Sequence, residues 1–181
     1  MLKLVSTEQI NIESIMEFYN SYDYNLMPSE GKILLTEGVE KFLKDPIDNS
    51  ETYYLIDTEN ESYVLGYCTL NDIDCSESHD IGNVSYEVRP NERRKGYGTA
   101  MLGLLLEICS NKGQEWVCVS SKKGNEASRK IIESHGGVFE YEFYDELEGE
   151  GLKYWIWVTP IFAKRVISGV KTFRKEFDRN R

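Results

Sequence analysis

No stretch of the chain approaches the roughly 20 apolar residues that a membrane-crossing helix needs, and the mean hydropathy is −0.48. The first residues, Met1-Leu2-Lys3-Leu4-Val5, run into polar sequence without the apolar region of a secretion signal. A secreted or membrane-spanning protein is therefore not expected. Cysteine is scarce: Cys68, Cys75, Cys109 and Cys118 contain no Cys-x-x-Cys pair, and only His79 and His135 could join them as nitrogen ligands. No metal site is expected, and the thiols read as reduced, as in a cytoplasm. Internal repeats, low-complexity tracts and interdomain linkers are missing too, which suits one domain at 181 residues.

What the chain does have is acid. Its net charge is −10, unevenly spread. Residues 164–181 carry seven Lys/Arg and two Asp/Glu, leaving a net −15 on the first 163 residues. Such a body is poorly suited to nucleic acid, whose affinity comes largely from neutralising phosphates. It favours a cationic substrate, or serves solubility alone.

Hydrophobic periodicity lays out the elements. Residues 2–6 read as a strand, and Thr7 caps a helix over about 8–21, where Ile12, Ile15, Met16 and Tyr19 recur at helical spacing. Residues 22–34, with Pro28 and Gly31, read as a loop, and 36–44 as a second helix. Strands follow at 52–56, 63–70 and 83–88, a helix at 96–111, a strand at 116–120 and a helix at 125–134. Two last strands lie near 138–144 and 152–158. The order β-α-α-β-β-β-α-β-α-β-β predicts an α/β (α+β) fold, a mixed, mostly antiparallel sheet flanked by helices. Phe162, Val166, Val170, Phe173 and Phe177 mark a basic amphipathic helix over 161–178, an extension (161–181) to a domain spanning 1–160. Its apolar face is expected to pack on that domain, in cis or across a homodimer.

The stretch richest in chemistry is Val88-Arg89-Pro90-Asn91-Glu92-Arg93-Arg94-Lys95-Gly96-Tyr97-Gly98-Thr99-Ala100. A strand enters a turn with three consecutive cations, then Gly-x-Gly opens a helix. Unpaired N–H groups of a first helical turn, the helix dipole, close-approach glycines and nearby cations together make a pyrophosphate cradle. A Walker A loop is absent, and the dinucleotide fingerprint fails because its third glycine position holds Met101. Gly96 and Gly98 also suit a plain strand–helix turn, and the cations a solvated run.

Arg93-x-x-Gly96-x-Gly98 resembles the Gln/Arg-x-x-Gly-x-Gly/Ala signature of the GNAT superfamily of acetyltransferases, and the element order from 2 to 158 is similar to its pattern. Asn125-x-x-Ser128 opens the next helix where that superfamily places a second cofactor motif. Tyr86–Gly98, Asn125–Gly137 and Lys153-Tyr154-Trp155-Ile156 look like a bacterial group of predicted acetyltransferases. The resemblance implies an acetyl-CoA-dependent N-acetyltransferase acting on an amine of a small molecule or protein. It further implies that Glu87 and Val88 lie beside the pantetheine and thioester, the Val88 N–H polarising the carbonyl. Backbone N–H groups across Arg94, Lys95, Gly96, Tyr97, Gly98 and Thr99 would hold the pyrophosphate, with Arg93, Arg94 or Lys95 near the phosphates. Asn125 would bond the pantetheine, with Ser128 facing the same groove, although Asn125 also suits a plain N-cap.

Proton transfer is where the resemblance thins. The superfamily's acid is often a Tyr seven residues after the motif Asn, and here that position is Ile132. Tyr86 and Tyr144 are the substitutes chosen, with Tyr141 and Tyr154 also on the later strands; Glu87 and Asp80 are the candidate bases, and water can serve as well. The competing reading is a non-catalytic acyl-CoA-binding module in which the cradle persists without the acid.

Overall fold

The computed structural model describes residues 1–23, 29–38, 50–71, 82–145 and 149–158. Strand β1 (Leu2–Ser6) pairs antiparallel with β2 (Ser50–Asp57), β2 with β3 (Asn60–Asn71), and β3 with β4 (Val84–Val88). The second sheet has the order β5 (Trp116–Lys122), β7 (Gly149–Trp157), β6 (Val138–Asp145), again antiparallel. Among the described residues, then, the expected single sheet is divided into a four-stranded and a three-stranded part.

The division has a definite geometry. At the start of β4, Asn83 is buried and its side-chain oxygen accepts the Cys118 N–H of β5 at 2.8 Å. Further along, Tyr86 of β4 reaches Ser128, beyond the end of β5. The two strands therefore run in the same direction, meet at Asn83 and part toward their C-terminal ends. A strand–helix–strand crossover through α3 (Tyr97–Asn111) links them, as parallel neighbours require.

Two apolar cores lie on opposite faces. Met101, Leu102, Leu105 and Cys109 of α3 are buried with Leu55, Val117, Leu152 and Ile156, joined by Ile132 of α4 (Glu126–Ser134). Apolar spacing predicts a stripe of Met101, Leu104, Leu105 and Ile108, but the fully buried face turns to include Leu102 and Cys109 while Leu104 and Ile108 are only half-buried; each buried leucine is worth about 1.5–3 kcal/mol. On the other face, Ile15, Phe18 and Tyr19 of α1 (Ile12–Asn20) pack with Tyr54, Val64 and Tyr67. Arg89, only 3% exposed, crosses this second core. Its Nε donates to Val64 O at 2.7 Å, its Nη1 to Glu17 Oε1 at 2.9 Å, and its guanidinium lies 4.2 Å from the Tyr63 ring centroid. That fastens α1 to the turn that leaves β4.

Three expectations need correction. Thr7 does not cap a long helix: Thr7–Gln9 is a 3-10 turn, with the Gln9 side chain accepting from Ser6 N–H, and α1 begins at Ile12 behind Asn11, whose oxygen accepts Glu13 N–H at 2.9 Å. Asn outcompetes the earlier Thr because its side chain bonds a first-turn N–H. The loop assigned to 22–34 contains helix α2 (Ser29–Glu37), so residues 36 and 37, expected to open a second helix, instead close this one just before Gly38, which has φ +87°. Residues 39–44, Asp80 and the expected tail helix lie outside the described residues.

Candidate active site

The divergence of β4 from β5 leaves one edge of β4 unpaired among the described residues. Arg89 N–H, just past the strand, bonds Leu65 O on β3 at 2.9 Å. Successive N–H groups of an extended chain face opposite edges, so the Val88 N–H points away from β3, into the gap. Val88 O accepts from Arg93 Nε at 3.2 Å.

Two helix N-termini flank the C-terminal ends of these strands. Helix α3 opens at Gly96, which has φ +85° and provides no side-chain cap. First-turn N–H groups at Tyr97, Gly98 and Thr99 precede any intrahelical acceptor, so the dipole end is bare of protein caps. Gly98 is needed for another reason: a Cβ there would stand 2.9 Å from Ile131 Cδ1 and 3.6 Å from Val88 Cγ2. A side chain at this point would have to push the Ile131 methyl aside, so α3 packs most closely on β4 and α4 with hydrogen there. Arg94 adopts a left-handed backbone, φ +65°.

The three cations are not equivalent. Arg93 is bound to Glu87 (Nη2–Oε1 2.6 Å) and Lys95 to Glu92 (2.8 Å). Among the described residues Arg94 makes no ion pair, and it is exposed. Of the run, it is the residue whose charge is open to an anion.

At the second N-terminus, Asn125 Oδ1 accepts the Ser128 N–H at 3.1 Å, so Asn125 is an N-cap. Its amide NH2 lies outside that bond. The Tyr86 hydroxyl lies 3.0 Å from Ser128 Oγ, and a Gly98 Cβ would be 4.0 Å from the Tyr86 ring. Tyr86, Gly98 and Ser128 thus form one group across the gap. Burial pushes the Tyr86 phenol above its ordinary value, with the Ser128 bond pulling the other way.

The other tyrosines sit elsewhere. Tyr144 is 71% exposed on the edge strand β6, two strands or about 10 Å from β5. Tyr154 is buried in the core, edge-on to Phe139 at 5.7 Å. Tyr141 accepts from the buried Lys153 at 3.3 Å. Ile132 is fully buried, so the usual acid position is a packing position here. Sequence reasoning missed Arg89 and Tyr22. Arg89, a cation wedged between Val88 and Pro90, was the one legible signal.

A bare helix N-terminus, an adjacent unpaired strand edge and an open cation fit a pyrophosphate-bearing acyl carrier. Residues 9–138 match the acetyltransferase (GNAT) domain model, and the chain belongs to that family of acetyltransferases. No curated protein matches it by sequence. Among solved structures it resembles the spermidine/spermine N-acetyltransferase SpeG from Vibrio cholerae, with a TM-score of 0.66 and 15% identity, covering 92% of this chain and 100% of that one. RimL, a ribosomal L7/L12 alpha-N-protein acetyltransferase in complex with coenzyme A, gives 0.61 and 12%, covering 87% and 94%. The ribosomal-protein-S18-alanine N-acetyltransferase from Escherichia coli gives 0.59 and 14%, covering 92% and 99%. At these identities the likeness is one of fold, and it covers a larger share of the chain than the family match does.

Proposed function

We propose that the protein is a cytoplasmic N-acetyltransferase that moves an acetyl group from acetyl-CoA to a primary amine. The observation that carries this reading is the unpaired Val88 edge lying between two helix N-termini, one uncapped by any side chain. Acetyl-CoA, bound along that edge, supplies an acyl group activated as a thioester. Backbone N–H groups from Arg94 to Thr99 hold the pyrophosphate, with Arg94 as its principal cation and Arg93 and Lys95 as secondary ones. Asn125 offers its amide NH2 to the pantetheine while its oxygen caps α4, so capping and ligand binding coexist. Ser128 faces the same groove.

In the chemical step the Val88 N–H donates to the thioester oxygen as negative charge gathers there, an effect commonly worth several kcal/mol. Glu87 or a water held by it takes the proton from the incoming ammonium. The amine nitrogen then forms a bond to the acyl carbon and releases its second proton to water, the carbon–sulfur bond breaks, and the sulfur takes up a proton from the donor, which water reprotonates. Tyr86 is the donor toward that sulfur; burial raises its pKa and keeps the phenol protonated through the neutral range. Tyr144, exposed on the edge strand β6, is the lesser candidate.

The named activities of the structural neighbours, on polyamines and on protein amines, support an amine acceptor here, and the acidity of residues 1–163 favours a cationic one. Oligomers occur among these neighbours, the spermidine N-acetyltransferase of Vibrio cholerae being dodecameric, which supports self-association as a homodimer or larger. The proposed domain boundary stays at 160, with 161–181 as an appended helix. Buried Ile132 favours the second reading, an acyl-CoA-binding module without catalysis. Release of coenzyme A thiol with a panel of amines, including spermidine and peptides with free N-termini, decides between them. Acetyl-CoA binding without turnover on any of them would support the module.

A further inference from the structure

The hydroxyl of Tyr22 is buried without a hydrogen-bond partner among the described residues, on a side chain 8% exposed. Its place is set by the backbone at the end of α1: the Tyr22 N–H bonds Tyr19 O at 3.1 Å, and the ring meets Phe18 edge-on at 5.4 Å. Phe18 in turn meets Tyr67 of β3 at 6.0 Å. Tyr67 stands opposite Glu87 in the β3–β4 register. Paired residues share a face, so the Glu87 side chain lies on the face that α1 covers. The charges sensed by the Tyr22 oxygen are those of Glu87, Arg93 and Arg89. Glu87 and Arg93, with side chains 36% and 54% exposed, form the wet side of this cluster.

A buried hydroxyl without a partner is unfavourable, and phenylalanine would fill the same space without that loss. We propose that Tyr22 and Glu87 form the subsite for the acceptor nitrogen. The Tyr22 oxygen accepts an N–H of a primary ammonium, and the Glu87 carboxylate matches its charge. The Arg93 guanidinium, bonded to Glu87 at 2.6 Å, marks where that cation sits. This inference rests on the acetyl-transfer reading and adds a residue on the acceptor side of it. Burial and the Glu87 charge both push the phenol's pKa well above its ordinary value, so Tyr22 remains neutral and binds rather than acting as the base.

The test is calorimetric titration with two probes, coenzyme A and a bisubstrate in which its sulfur is joined through CH2–C(=O)–NH to a 4-aminobutyl chain. Tyr22→Phe is expected to leave coenzyme A affinity unchanged and to weaken the bisubstrate about 3- to 10-fold, the value of one hydrogen bond. Its thermal midpoint should equal or exceed that of the parent, because the hydroxyl bonds nothing within the fold. An unchanged bisubstrate affinity, or a lowered midpoint, would overturn the Tyr22 assignment alone. Failure of the parent protein to bind coenzyme A would overturn the acetyl-transfer reading and this inference with it.

Discussion

The Tyr86 hydroxyl lies 3.0 Å from Ser128 Oγ, joining β4 to the first turn of α4 across the only line along which the two sheets part among the described residues. A second contact, to Ser128 O at 3.4 Å, backs it up. On the proposed mechanism Tyr86→Phe lowers kcat by about 10²- to 10⁴-fold while leaving acetyl-CoA affinity intact. Ser128→Ala should be milder, since the backbone oxygen still orients the phenol. Steady-state rates and cofactor titration on both variants check this, and equal, small losses would remove Tyr86 as the donor.

Arg94 and Lys95 are neighbours with different freedom. Because Lys95 is already bound to Glu92 and Arg94 makes no ion pair, Arg94→Ala should weaken acetyl-CoA about 3- to 10-fold and Lys95→Ala less. The Arg94 effect should shrink as salt rises, since both charges are exposed and screened. Titrations at two ionic strengths read both quantities.

Gly96 opens α3 at φ +85° with no atom near its absent Cβ. Gly96→Ala therefore meets no clash and still carries the left-handed backbone penalty, about 1–2 kcal/mol. Urea unfolding should show that loss with an unchanged slope. A variant as stable as the parent would mean that the turn has another available conformation.

Glu17 and Arg89 make stability depend on acid. The hydrogen bond from Arg89 holds the Glu17 carboxyl below its ordinary value of 4.5; partial burial works the other way, and the Arg89 charge adds to the lowering. A lowered carboxyl gives stability that is present above its unfolded value and lost as pH falls through the folded one. Stability should therefore decline below about pH 4.5 as Glu17 takes up a proton and leaves the buried Arg89 without its counter-ion. Glu17→Gln should cost about 1.5 kcal/mol at pH 7, at the low end for a charged hydrogen bond because Glu17 is half exposed. It should also flatten the acid limb. Thermal unfolding from pH 7 to 3 on both proteins tests the pair.

Much of this architecture is legible in the sequence because the relevant forces are local. Apolar residues at helical spacing mark α3, and alternation with turn residues marks β2, β3, β6 and β7. The Gly96–Gly98 loop is readable because a tight approach and a bare helix end both demand glycine. The start of α1 was misread because Thr7 and Asn11 are both good caps, and only the competing 3-10 turn separates them. Helix α2 was missed because Pro28 and Gly31 signal a loop as readily as a helix start. What no pattern reveals is which distant side chains converge. Tyr22 and Glu87 are 65 residues apart, and only the packing of α1 on β3 brings them to one face. Choosing Tyr86 over Tyr144 likewise depended on exposure, and twelve tyrosines in the chain offer no local mark to separate them.

The central claim is that acetyl-CoA lies along the free edge of β4 with its pyrophosphate at the start of α3. Amide nuclear magnetic resonance during a titration with acetyl-CoA tests it most directly. The largest shifts should fall on the N–H groups of Val88, of Arg94 through Thr99, and of Asn125. Shifts confined to other strands, or none at saturating acetyl-CoA, would contradict the account.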